Sequence, residues 1–325
     1  MASSARRRAA IAWAAAGCVA VIAVVTVIVV SHQSGVHASA QRAAAADSIT
    51  PTTPTSAPAA PTSSAPVSSP ATLSAIASSP PAVSSAPVAS PTFQIPGPRP
   101  DDSKLGPVVL VPGFGGDDSM LLSLAARLHR AGRTTVLLAI PNDATGDLRG
   151  QADLLAAKVR ELLKTGAPSV DLVGYSAGGI VVGLFVAAHP QEVRRIVTLG
   201  SPLHGTRLAQ FAAALAPATC PIACQQMEPG TSVLSSLDAA VPARTGVPWL
   251  SMWTTHDEVV LPADSARFDG AVNIALQSVC ADDRIDHISL PADPLAAALT
   301  LRGLSTTAVT VPTSSECAAL RAEGA

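Results

Sequence analysis

Aromatic residues make up only 3% of this 325-residue sequence, with a single tyrosine, while hydrophobic residues reach 48%. Any core must therefore be assembled from Ala, Val, Leu and Ile, each burying a modest area. Charged residues are equally sparse at 14%, and Lys and Arg total 21 against 23 Asp and Glu, a formal net charge of -2. No basic surplus is left to neutralise phosphates, which argues against a nucleic acid partner. The chain also lacks a Cys-x-x-Cys pair, a P-loop G-K-[ST] ending and a G-x-G-x-x-G run. Those absences exclude the usual zinc spacing and the common phosphate and dinucleotide cradles. No metal and no organic cofactor is expected.

Composition is uneven along the chain. Residues 9–30 are an uncharged, mostly apolar run preceded by Arg6, Arg7 and Arg8. The run is long enough to span a bilayer, and the arginines keep its start cytoplasmic, so a signal anchor over residues 1–30 with the remainder outside is the preferred expectation. A cleaved signal is the alternative, with Ala38-Ser39-Ala40 as an A-x-A site and a secreted product. Cys18, inside the run, reads as a small membrane-buried residue. Residues 31–104 are Ala, Ser, Pro and Thr with almost no charge, and cannot bury enough apolar surface to offset ordering entropy. They read as a disordered linker or extended stalk that can carry O-linked sugars. Residues 105–325 are left as the folded domain, expected to be a monomer. Its four cysteines, Cys220, Cys224, Cys280 and Cys317, suit an oxidising compartment. Three pairings are open; Cys220 with Cys224 and Cys280 with Cys317 is the preferred one.

Beyond residue 105, short β-branched runs alternate with Ala/Leu-rich stretches, the signature of a mostly parallel α/β sheet with helices on both faces. Strands are expected over 108–111, 134–139, 170–173, 195–199, 247–253 and 272–276, and helices over 119–130, 147–164 and 178–189. Leu154, Leu155, Val159, Leu162 and Leu163 are expected on the buried face of the second helix.

Gly174-Tyr175-Ser176-Ala177-Gly178 is a G-x-S-x-G motif, a weak signal that gains weight from its setting between an expected strand and an expected helix. Small residues on both sides allow a tight turn that lifts the Ser176 hydroxyl out as a nucleophile. Attack on a carbonyl creates an oxyanion, which needs backbone donors already aimed at it. The loop Pro112-Gly113-Phe114-Gly115-Gly116 follows the first strand, so the N–H groups of Phe114 and Ala177 are the candidate donors.

With VPGFGG, GYSAGG and Gly200-Ser201-Pro202-Leu203-His204-Gly205-Thr206, the sequence resembles the α/β-hydrolases, in particular small bacterial class 2 lipases and esterases, over about residues 105 to 305. Where such families often carry His-Gly before the oxyanion residue, this chain has Pro112-Gly113. The resemblance implies an α/β-hydrolase fold and a triad in the order Ser, acid, His. His287 is the only histidine beyond His256, which assigns it the general base. Asp257 follows an expected strand and precedes Val259, Val260 and Pro262, as the acid does in similar lipases; Asp264, Glu258 and Asp282 are the alternatives. His129 and His189 read as surface residues, His256 as a neighbour of the acid, and His204 as a residue that could line the pocket. The implied reaction is hydrolysis of a carboxylic ester, small-molecule or lipid, through an acyl-enzyme, with residues 203–246 as a cap. Acyl transfer or thioester cleavage would use the same residues, and a binding protein on an inactive scaffold is the reading from another class.

Overall fold

The computed structural model of the chain describes residues 99–116 and 119–325. The anchor expected over 1–30 and the linker up to residue 98 lie outside the described residues. Among the described residues, no helix is long and apolar enough to cross a membrane.

Six strands, β1 (Val108–Val111), β2 (Thr135–Leu137), β3 (Val170–Tyr175), β4 (Val193–Leu199), β5 (Trp249–Trp253) and β6 (Val272–Ala275), form one all-parallel sheet in the order β2-β1-β3-β4-β5-β6. Between them lie α1 (Ser119–Arg130), α2 (Leu148–Lys164) and α3 (Ala177–Ala188), then α4 (Arg207–Leu215), α5 (Ile222–Gln226), α6 (Ser232–Ser235) and α7 (Pro242–Thr245), the last four in the segment between β4 and β5. After β6 come α8 (Leu276–Val279), α9 (Pro294–Gly303) and α10 (Cys317–Glu323).

The period-2 alternation of β1 divides the core between the two faces of the sheet. Val109 and Val111 join α2 and α3 through Leu155, Val159, Ile180 and Val181. Val108 and Leu110 join α1 and α9 through Leu121, Leu124, Leu295 and Leu299. The inner strands β1, β3, β4 and β5 are buried along their whole length, whereas the edges β2 and β6 are half-exposed. Continuous apolar runs are what strands covered on both faces require.

All six strands and all three helices anticipated before residue 190 occur, β1 and α1 with the expected ends and the others with ends shifted. The fifth strand starts at Trp249 rather than 247 because Pro248 has no N–H to donate to the ladder. The buried face of α2 differs from expectation. Leu148, Gln151, Ala152, Leu155, Ala156 and Val159 are buried, whereas Leu154 is 38% exposed and Leu162 and Leu163 are only partly buried. Small residues and a glutamine occupy positions that side-chain bulk had assigned to leucines.

Two further ties were not foreseen or were left open. Asp171 on β3 is fully buried against the guanidinium groups of Arg133 and Arg194, and both arginines also donate to the Leu304 carbonyl beyond α9. One carboxylate oxygen, Oδ2, thus holds two buried cations, which also donate to the backbone carbonyls of Gly106, Leu304 and Ser305. The cysteines pair as Cys220–Cys224, within the segment between β4 and β5, and Cys280–Cys317, which ties the end of α8 to α10 across a separation of 37 residues.

Candidate active site

In the order β2-β1-β3 the sheet reverses its direction of growth between β1 and β3, and the crevice beyond the carboxyl ends of those two strands is where open α/β sheets bind ligands. The register pairs Val111 with Gly174, which brings the loop after β1 beside the turn after β3. A Cβ on Gly113 would stand 2.8 Å from the Ser176 Cβ.

Ser176 occupies this turn with φ 53° and ψ -128°, a conformation that costs an L-residue on the order of 1–3 kcal/mol. The crowding around it explains the glycines. A Cβ on Gly174 would lie 2.6 Å from Gly179 Cα, and one on Gly178 would lie 2.3 Å from the Val111 carbonyl oxygen. Ser176 is the N-cap residue of α3, yet its hydroxyl makes no capping hydrogen bond. The hydroxyl is instead 3.0 Å from Nε2 of His287. His287 Nδ1 is in turn 2.7 Å from Oδ2 of Asp257. All three side chains are buried.

The Asp257 carboxylate is held from both of its oxygens. Asp257 Oδ1 accepts the N–H groups of Val259 at 2.9 Å and Val260 at 2.7 Å, leaving Oδ2 for the imidazole. His287 Nδ1 facing a carboxylate favours the tautomer with its proton on Nδ1, so that Nε2 is the acceptor toward Ser176.

Three residues that sequence reasoning did not single out hold this line of groups. Tyr175, next to Ser176, donates its hydroxyl to the His287 backbone carbonyl at 3.0 Å, and its ring lies 5.3 Å from the imidazole. Thr254, fully buried ahead of Asp257, donates to the Ile285 carbonyl at 2.7 Å and accepts the His256 N–H at 3.1 Å. Gln277, on α8, donates to Thr254 Oγ1 at 2.9 Å and accepts the Thr255 N–H at 2.8 Å, and its Nε2 also reaches the Asp283 carbonyl, on the way to His287, at 3.4 Å. The signal for Tyr175 was its place beside Ser176 as the chain's one tyrosine; Thr254 and Gln277 act through partners distant in sequence.

The other candidates lie apart. Glu258 and Asp264 are exposed, and Asp282 pairs with Arg321 at 3.0 Å. His256 is exposed with Nε2 3.2 Å from Arg284, and His204 and His129 are exposed. His189 is half-buried beside Glu192 and stacked on Phe185. Near the histidine loop, burial pushes the Asp293 carboxyl above its ordinary range even though it caps α9 by accepting the Ala296 N–H. Among the described residues, neither the Phe114 nor the Ala177 N–H donates to another backbone carbonyl, and no group of His, Cys, Asp and Glu could hold a metal ion.

Residues 106–220 match the family model of the alpha/beta hydrolase fold. A triacylglycerol lipase of Pseudarthrobacter phenanthrenivorans is 30% identical over 113 residues, 32% of this chain and 35% of that protein. One of Burkholderia plantarii is 30% identical over 32% of this chain and 32% of its own length. The chain thus spans about a third of the length of these relatives. Among solved structures, Aspergillus fumigatus lipase B superposes with a TM-score of 0.54 at 23% identity, over 62% of this chain and 52% of the other. A Bacillus licheniformis lipase in its mature form superposes with a TM-score of 0.51 at 23% identity, over 64% of this chain and 96% of the other. At that identity the likeness speaks for the fold. The sheet order, the strained serine turn and the family match over residues 106–220 together show that this chain has the α/β-hydrolase fold.

Proposed function

We propose that the protein is a serine hydrolase that cleaves carboxylic esters, with Ser176 as nucleophile, His287 as general base and Asp257 as the group that orients and stabilises the imidazolium. The observation that carries this reading is the unbroken line from Ser176 Oγ to His287 Nε2 at 3.0 Å and from His287 Nδ1 to Asp257 Oδ2 at 2.7 Å, on a serine held at positive φ. His287 takes the Ser176 proton as Oγ attacks the ester carbonyl. The N–H groups of Phe114 and Ala177 stabilise the resulting oxyanion. His287 then returns the proton to the departing alcohol, leaving an acyl-enzyme. Water, deprotonated by the same imidazole, releases the acid and regenerates Ser176.

The triacylglycerol lipases among its relatives favour an ester with a fatty acyl chain as substrate. Residues 203–246 are suited to act as a cap: Thr206 donates to the Val259 carbonyl, and Arg207 N–H to the Leu261 carbonyl, so this segment is stitched to the loop that carries Asp257. Hydrolysis rates on p-nitrophenyl esters of increasing chain length test the assignment. A rate that rises with acyl length supports it, and no turnover at any length would contradict it. We further propose that residues 9–30 anchor the enzyme in the cell membrane with the domain outside. Full-length protein should then sediment with membranes, and recovery from the medium with an N-terminus near Gln41 would contradict the anchor.

Tyr175 provides a finer test. Tyr175→Phe keeps the ring against the imidazole and removes the hydrogen bond to the His287 carbonyl, a contribution of about 1 kcal/mol. Its kcat should fall by about 3- to 10-fold while KM stays within about twofold, because positioning of the base matters more to the transition state than to substrate binding.

A further inference from the structure

Asn142, Asp143 and Ala144 are three successive residues with positive φ, at 55°, 51° and 53°. Asparagine and aspartate visit this region singly; three L-residues in a row make a left-handed turn that sterics disfavour. Such a turn persists only where its surroundings over-determine it. Here they do so from two sides. Gln151, buried on α2, donates through Nε2 to the Ala144 carbonyl at 3.0 Å and the Gly146 carbonyl at 2.9 Å, and Ala144 is itself fully buried. From the segment between β4 and β5, the Ala223 N–H of α5 donates to the Thr145 carbonyl at 3.2 Å, and Gln226 accepts the Leu148 N–H at 2.8 Å.

The turn presents one group to the loop after β1. The Asp143 carbonyl accepts the Gly115 N–H at 2.9 Å, and the Asp143 backbone packs so closely that a Cβ on Gly116 would lie 2.8 Å from its Cα. The Asp143 side chain is exposed, so the contact is made by backbone. Gly115 and Gly116 both have positive φ and follow Phe114 directly. A loop with two adjacent glycines is adaptable by itself. An oxyanion donor must be fixed before the charge develops.

We propose that Asp143 is a positioning residue: displayed by the left-handed turn 142–144, its carbonyl fixes Gly115 and thereby aims the Phe114 N–H at the oxyanion. The proposal rests on the oxyanion role assigned to Phe114 above. It makes the conformation of residue 143, and not its side chain, the quantity that matters.

The test compares Asp143→Val, Asp143→Gly and Gln151→Met in the full chain, by kcat and KM on a short-chain p-nitrophenyl ester and by the rate and final stoichiometry of labelling with a fluorophosphonate. Valine is strongly disfavoured at positive φ, so Asp143→Val should lower kcat and the labelling rate by about 10- to 100-fold, with KM within about threefold and one label per chain at completion. Glycine adopts positive φ freely, so Asp143→Gly should stay within about threefold of the parent. Gln151→Met, remote from the loop, should show a smaller loss of the same pattern, and decides the matter if Asp143→Val does not fold. Parent-like kcat in Asp143→Val, or in Gln151→Met should the valine variant not fold, would overturn the proposal, as would a loss in Asp143→Gly equal to that in Asp143→Val. Failure of the parent protein to label at all would instead contradict the serine-hydrolase reading on which it stands.

Discussion

Ser176→Ala is expected to lower kcat by about 10⁶ and to abolish covalent labelling by phosphonates, because the attacking oxygen is gone. The fold should survive. Alanine takes the backbone angles of Ser176, φ 53° and ψ -128°, with no more strain than serine, and the Ser176 hydroxyl makes no capping bond that the helix would lose. Thermal unfolding should therefore shift by no more than a few degrees. Steady-state kinetics beside a melting curve checks both halves of the expectation. A variant that keeps kcat within about tenfold of the parent would place the nucleophile elsewhere.

The second large effect is expected at the base and the acid, and the two differ in kind. His287→Ala removes the proton acceptor, so kcat should fall by about 10⁴ to 10⁶. Asp257→Asn removes no atom from the line, yet kcat should still fall by roughly 10⁴. The reason lies in how the carboxylate is held. Oδ1 accepts two backbone N–H groups, from Val259 and Val260, so an amide in the same pose must keep its oxygen there and turn its NH₂ toward His287 Nδ1. Nδ1 then becomes an acceptor, the proton moves to Nε2, and Nε2 can no longer take the serine proton. Asp264→Asn and His256→Ala should be nearly silent, since both side chains are exposed and lie off this line. Measuring kcat for the four variants at one pH separates these outcomes. An Asp264→Asn variant as damaged as Asp257→Asn is expected to be, with Asp257→Asn active, would reassign the acid while leaving the nucleophile in place.

Much of this geometry was legible before any coordinates, for reasons that lie in particular residues. Val108, Val109, Leu110 and Val111 form a continuous apolar run because β1 is covered on both faces, and that signal is local. The serine turn was legible because Gly174 and Gly178 meet backbone atoms that tolerate no Cβ, so the constraint is written beside the residue it serves. His287 and Asp257 were reachable through chain order in a family the motifs already pointed to. What could not be read is carried by partners far apart in sequence. Thr254 meets Ile285, Gln277 meets Thr254, and Asp171 meets Arg133 and Arg194. No local pattern marks a buried threonine or aspartate as paired. The left-handed turn at 142–144 was likewise hidden, because Asn-Asp-Ala predicts an ordinary turn until Gln151 and α5 hold it in place. Leu154 shows the converse failure, a leucine at a helical spacing that points outward while Ala152 and Ala156 pack inward.

The central claim is that Ser176 is a nucleophile activated by His287, and the site of covalent modification tests it most directly. The folded protein, incubated with a fluorophosphonate, digested and mapped by mass spectrometry, should carry one adduct on Ser176, formed at a rate that collapses in His287→Ala. No adduct in protein that hydrolyses esters, or an adduct on a different serine, would contradict it.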